Sequence, residues 1–259
     1  MKNQKLSVLI PAFNYLDGLK KILLESDALN HDSIEVLIYD NSTNDNIQNF
    51  IKKLKLNTFK SKLIYKRIKN SNYIDNWNNL INDSVGGYFI LIHHDEFFVK
   101  KNFFQSFLNS DYDEYDLIIN RCKLYKKNKS YFHFPLSLIK ILVLIPKFIL
   151  LKNYIGPTAT LCVKCSYKQN FNRNLKWLVD VDFYYRLLIR TKKIKFSKDI
   201  IGSNLDYNKS ITKKIDSQIN TLNKKEQSII FKDYKLNKVN YFLIILIFVT
   251  IKKIFNIFQ

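Results

Sequence analysis

Proteins that handle phosphates through the backbone need glycine-rich turns, and this chain has only five glycines, at positions 18, 86, 87, 156 and 202. Neither a dinucleotide-type G-x-G-x-x-G turn nor a P-loop can be built from them. An enzyme of this kind would neutralise a diphosphate with a divalent cation instead, held by a carboxylate on a tight turn straight after a strand. Asp95, which follows the apolar run Tyr88 to Ile92 and the pair His93-His94, stands where such a ligand belongs. Asn14 and the trio Asp40-Asn41-Ser42 close two other apolar runs. An Asp-Asn-Ser run suits a helix cap or a turn as well as a ligand contact; recurrence at several strand ends is what gives these groups weight. Further on, Asp180 and Asp182 open the stretch FYYRLLIR, with Arg186 four residues after Asp182, the spacing of a helical ion pair.

The elements that must position these groups alternate in kind. Short β-rich runs, Leu6 to Ala12, Ile34 to Tyr39, Lys62 to Ile68, Tyr88 to Ile92 and Asp116 to Lys123, are separated by helical spacing near 16–26, 47–54, 74–83 and 100–109. Alternation of this sort predicts βαβ units, and the unbroken apolar character of the runs predicts strands covered on both faces. Open sheets of that class bind ligands beyond the carboxyl ends of their strands, where the polar groups gather.

A chain of 259 residues, 47% hydrophobic and 15% aromatic, can bury one sizeable core with a small subdomain, which excludes disorder as the starting assumption. Cys122, Cys162 and Cys165 leave one cysteine unpaired under any scheme and lack the partners of a zinc site, so a reducing setting is expected. The amino terminus shows no secretory signal pattern, and a cytoplasmic location is expected. Forty-two Lys and Arg against 22 Asp and Glu give a formal charge of +20. Phosphorylated substrates, anionic lipid and nucleic acid would all suit it, and so would a merely solvated lysine surface. Leu136 to Leu151 is apolar but broken by Lys140, Pro146 and Lys147. Tyr241 to Ile251 is apolar and then meets Lys252-Lys253. Both fall short of a bilayer span and read as amphipathic, surface-lying segments, with a buried or partner-binding helix as the alternative for the second.

Four stretches resemble family 2 glycosyltransferases, an inverting family with the GT-A fold. LSVLIPAFN is similar to its first strand and EVLIYDNSTND to its second. NSNYIDNWNNLINDSVGGYFILIHHDE resembles the Asn-rich helix, the Gly-x-Tyr-Ile strand and the Asp-x-Asp motif. WLVDVDFYYRLL resembles the helix start that carries the catalytic base.

The resemblance implies an α/β GT-A fold for nucleotide-diphospho-sugars: a mainly parallel central sheet flanked by helices, with C-terminal amphipathic helices. It implies a catalytic domain over 1–205, in halves 1–123 and 124–205, followed by a helical, membrane-associating segment 206–259. Asp40 is expected at the nucleobase, and Pro11, Ala12, Phe13, Asn14, Asn41, Ser42, Asn72 and Asn76 around the donor. Asp95 becomes the ligand of Mn2+ or Mg2+. In His93-His94-Asp95 a histidine replaces the family's first acid, and it could accept or donate a hydrogen bond or ligate Mn2+. Asp180 is expected to be the base that deprotonates the acceptor hydroxyl. Asp182 would cap its helix or orient Asp180, Trp177 would pack on the acceptor sugar or in the core, and Gly156-Pro157-Thr158 would form a loop over the donor sugar and acceptor. The implied activity is transfer from a UDP- or dTDP-sugar to a lipid-linked glycan at the inner membrane face, in O-antigen or capsule assembly. The rival from another class is a basic nucleic-acid-binding protein, suggested by aromatics set among lysines, but no binding module is recognisable. A dinucleotide-dependent enzyme is disfavoured by the missing glycine turn.

Overall fold

The structure, a computed structural model, describes residues 4–68, 71–207, 216–235, 244–251 and 253. The chain divides into two compact units: 1–133 with 156–170 and 191–207, and 134–155 with 171–190 and 208–259.

The first unit is built on one nine-stranded sheet. Its strands are β1 (Leu6–Ala12), β2 (Ile34–Asp40), β3 (Lys62–Arg67), β4 (Tyr88–Leu91), β5 (Glu96–Phe98), β6 (Leu117–Lys126), β7 (Lys129–Phe132), β8 (Leu161–Lys164) and β9 (Ile194–Asn204). They lie in the order β3-β2-β1-β4-β8-β6-β9-β5, with β7 paired to β6. The four strands at one side, β3, β2, β1 and β4, run parallel. Beyond them β8 is antiparallel to both β4 and β6, while β9 is parallel to β6. The fold is thus α/β with a mixed sheet whose parallel part carries the expected strand ends.

Every residue of β1 and β2 is buried, which is why these strands read as continuous apolar runs. Crossovers are made by α1 (Leu16–Leu24), α2 (Asn46–Leu54) and α3 (Tyr73–Asp83); α4 (Phe103–Leu108) follows β5. Their apolar faces follow helical spacing: Leu19, Ile22 and Leu23 on α1, and Ile47, Ile51 and Leu54 on α2, are buried. One polar network lies inside this packing. Ser7 Oγ donates to Glu35 Oε1, which also accepts from Val85 N at 2.6 Å, while Gly86 N donates to Ser7 Oγ at 2.9 Å. A Cβ at Gly86 would come within 2.7 Å of Ser7 N, so only glycine lets the loop before β4 lie this close to β1.

The second unit contains α5 (Leu136–Leu142), a 3-10 turn over Pro146–Leu150, α6 (Val179–Leu188), α7 (Ile219–Asp233) and a helical stretch at 244–251. Phe171 stacks on Phe183 at 4.2 Å between ring centroids. Leu138, Ile139 and Leu142 of α5 are buried, whereas Lys140 and Ile141 are exposed, the two-faced pattern expected of the 136–151 segment. Of the apolar run 241–251, residues 241–243 lie outside the described residues, as do Lys252 and 254–259. The three cysteines are free thiols.

Candidate active site

Parallel pairing brings the carboxyl ends of β1 to β4 to one edge. Ala12 aligns with Asp40, and Asp40 with Arg67. Just past β1, Asn14 adopts φ 50°, a left-handed turn that asparagine tolerates. Its backbone N–H donates to Ser42 Oγ at 2.7 Å and its side-chain oxygen accepts from Thr43 N at 2.9 Å. The two loops are therefore tied together. Pro11 and Ala12 are buried beneath them, while Phe13 is 38% exposed.

Asp40 has no exposed side-chain surface. Oδ1 accepts from Ser42 N at 2.8 Å, and Oδ2 from Tyr65 OH at 2.8 Å and Arg67 Nη1 at 3.0 Å. Arg67 also donates to the carbonyls of Ser42 and Asn44. A nucleobase would reach this carboxylate only by displacing Tyr65 or Arg67; as it stands, Asp40 holds the shape of the loop after β2. Burial, followed by the hydrogen bond to Asp40, pushes the Tyr65 hydroxyl up to about 12. Tyr65 and Arg67, which the sequence sets among the basic, aromatic segments of the nucleic-acid-binding alternative, serve here as partners of Asp40, and Arg67 ends its strand by the same rule that marks Asp40.

The Asn-rich segment is framework to the same loop. Asn72 caps α3 by accepting from Asp75 N at 2.8 Å. Asn76, buried, donates to Tyr39 O at 3.0 Å and to Asn41 Oδ1, and Asn41 Nδ2 donates to Ser71 O at 2.8 Å.

At the end of β4 the chain turns sharply. The His93 N–H donates to Glu96 Oε2 at 2.9 Å, and the His93 ring packs edge-on against Trp77 at 4.8 Å. His93 Nδ1 lies 3.3 Å from the Thr158 hydroxyl, so Gly156-Pro157-Thr158 does meet the motif. Gly156 has φ 109°, and a Cβ there would press on Cys122 at 3.1 Å, both reasons for glycine. His94 sits edge-on to Tyr15 at 5.6 Å and Tyr207 at 5.2 Å, which stack on each other at 4.4 Å. Its carbonyl oxygen lies 1.9 Å from where a Cβ at Gly18 would be, so α1 needs glycine for the turn to approach it. A glycine inside an amphipathic helix was the available signal for this contact.

Asp95 differs from all of these. Its main-chain carbonyl accepts from Asn204 N at 2.8 Å, and its half-buried carboxylate stands between the like charge of Glu96 and the favourable charge of His93. Burial, reinforced by the Glu96 charge and opposed by His93, pushes it up to about 6. An acid whose charged form its surroundings disfavour on balance fits a divalent cation. No group of three or more His, Cys, Asp or Glu among the described residues could hold one alone, so the diphosphate itself would have to complete the set.

Asp180 and Asp182 occupy the first turn of α6. Asp180 is half-buried. Asp182 is buried and does not cap the helix: it accepts from Arg186 Nη2 at 2.7 Å and Nε at 3.0 Å, the spacing-predicted ion pair placed in the interior, and from Tyr234 OH. The residues before α6 are held by Glu226 of α7. Its buried carboxylate accepts from Lys176 N at 2.8 Å, Trp177 N at 2.9 Å and Leu178 N at 2.8 Å. The Trp177 side chain is half-buried. Nothing local in sequence marks Glu226, whose partners lie about fifty residues earlier.

With this geometry in hand, the sequence matches Glycosyl transferase family 2 over residues 7–172. The chain belongs to that family. Its architecture is the family's GT-A fold. S. aureus TarS 1–349 in complex with UDP-GlcNAc is similar at a TM-score of 0.63 and 16% identity, over 81% of this chain and 61% of that one. A mannosyltransferase, PcManGT from Pyrobaculum calidifontis, in complex with GDP-Man and Mn2+, gives 0.59 and 11% over 92% and 66%. Against the longer S. aureus TarS structure the coverage is 78% and 37%, so this chain spans little more than a third of that protein. At such identities the likeness is one of fold. No curated protein matches the sequence. The family match contains every strand-end residue up to Asp95 and the Gly156 loop; it stops before Asp180.

In metal-free protein the raised Asp95 means that the folded state binds its proton more tightly than the unfolded chain. Stability is therefore lost as pH rises from about 4 through about 6. Asp95→Asn should raise the melting temperature at pH 7.5 and leave it unchanged near pH 4; an equal effect at both would show that the carboxylate is not desolvated. Glu226→Ala strands three backbone donors and should cost about 3–5 kcal/mol in chemical denaturation; a loss under about 1 kcal/mol would mean that water replaces the carboxylate.

Proposed function

We propose that this chain is an inverting, metal-assisted glycosyltransferase that uses a nucleotide-diphospho-sugar. Supporting this reading is Asp95, a half-buried carboxylate held up to about 6 on the turn after β4 of a family 2 fold. TarS and PcManGT, which share the fold, were solved with UDP-GlcNAc and with GDP-Man and Mn2+.

In this reading Asp95 would hold Mn2+ or Mg2+ against the donor diphosphate, where the cation supplies Lewis-acid stabilisation of the leaving group's charge. The loops after β1 and β2, fixed by Asn14, Asp40 and Arg67, shape the nucleotide side, with Phe13 the exposed apolar surface for a base. His93, oriented by Glu96 and Thr158, takes the place of the family's first acid as a hydrogen-bonding group. Asp180 accepts the proton of the acceptor hydroxyl as that oxygen attacks the anomeric carbon on the face opposite the departing diphosphate. Asp182, already neutralised by Arg186, is left out of the proton transfer. Donor selectivity is for UDP- or dTDP-sugars, and the acceptor is a hydroxyl of a lipid-linked glycan in bacterial surface-polysaccharide assembly. The apolar, lysine-bearing segments of the chain support the lipid part.

Thermal denaturation with UDP, dTDP and GDP, each with and without Mn2+ or Mg2+, tests the donor half. A ligand at a hundred times its Kd should stabilise by about 2.7 kcal/mol, and only with metal present. Stabilisation by free nucleotide alone, equal with and without metal, would count against the assignment of Asp95. For the chemistry, Asp180→Asn should lower kcat by about 10^2–10^4-fold with the metal-dependent nucleotide shift intact, whereas Asp95→Ala should abolish the shift. Wild-type turnover in Asp180→Asn would refute its role as base.

A further inference from the structure

The second unit makes neighbours of two apolar stretches that lie about a hundred residues apart. Phe148 and Phe248 meet with ring centroids 5.7 Å apart, and Leu138 and Leu142 share a hollow with Phe248 and Ile251. These side chains have their partners within the fold. Each stretch nevertheless keeps large apolar groups in water. Leu144 is 77% exposed beside Ile141 and Ile145, and Leu246 is 48% exposed beside Ile247 and Val249. Exposed apolar groups concentrated on two packed elements mark an interaction surface.

Charge decides the partner. No acidic residue occurs between Asp116 and Asp180, and none after Asp233. Both apolar stretches therefore lie in segments whose charged side chains are all basic, with Lys140, Lys152 and Lys253 exposed. Burying this face against a second copy would set lysines against lysines, whereas a partner with an apolar interior and an anionic rim satisfies both features. No helix of the described residues is long and apolar enough to cross a membrane, so the fitting geometry is contact along a surface.

We propose that this face docks onto an anionic phospholipid bilayer, with Ile141, Leu144, Leu246 and Ile247 at the boundary between headgroups and acyl chains and the lysines on lipid phosphates. The contact is independent of the donor chemistry, although it would bring a transferase to a lipid-linked acceptor.

Cosedimentation of the full chain with vesicles of phosphatidylcholine alone, or mixed with phosphatidylglycerol, tests it. Binding to the mixed vesicles should be at least about ten-fold tighter and should weaken with salt. Leu144→Asp combined with Ile247→Asp should reduce binding about ten-fold with the far-UV spectrum unchanged. Should that pair disturb folding, Lys140→Glu with Lys152→Glu provides the same reading through charge. Equal binding to neutral vesicles, or no loss in the variants, overturns the proposal. So does a wild-type dimer in solution that the apolar substitutions dissociate. Vesicle binding without sugar transfer would refute the transferase reading alone, and transfer with no vesicle preference would refute this one alone.

Discussion

The strand-end site turns on one acid, Asp95, whose charge burial and Glu96 disfavour and His93 only partly offsets. Other polar groups at the strand ends bond within the protein: Asp40 to Arg67, Tyr65 and Ser42, the Asn76 amide NH2 to Tyr39 and Asn41, and Glu96 to His93. Asp95 stands among them with its carboxylate pushed up to about 6 by burial. That burial costs stability in the charged form, a cost that the proposed cation would offset. The surrounding network keeps the acid in place without quenching it. Gly18 lets α1 close on the His94 carbonyl, and the Asn204 N–H fixes the Asp95 main chain.

Much of this frame was legible in sequence because it follows from local rules. Strands covered on both faces leave unbroken apolar runs, and β1 and β2 begin where those runs begin, whereas β3, expected to be covered as well, has no buried residue. The helices show their buried faces through spacing, as Ile47, Ile51 and Leu54 do on α2. The strand-end groups were found because parallel topology gathers them, which needs only the order of elements. The Arg186 to Asp182 pair was readable from its four-residue interval, though not its burial.

What sequence could not give was the use of groups brought together from afar. Asp40 is marked by its position, yet its commitment to Arg67 comes from the register of β2 on β3. Asn72, expected near the donor, also caps α3, a role its position alone does not show. The place of β8, antiparallel between β4 and β6, has no sequence signature, since its buried Leu161–Val163 reads like the buried run of parallel β4. Glu226 lies in a polar helix that resembles a solvated one. Only folding places its carboxylate on three backbone N–H groups before α6, which makes the C-terminal region a support for Asp180 as well as a candidate lipid contact.

The most direct test of the central claim is crystallographic: anomalous diffraction from crystals grown with Mn2+ and a nucleoside diphosphate. One manganese peak is expected within about 2.2 Å of an Asp95 carboxylate oxygen, with the diphosphate completing its coordination. An ordered diphosphate with no metal at Asp95, or manganese bound elsewhere on the chain, would contradict it.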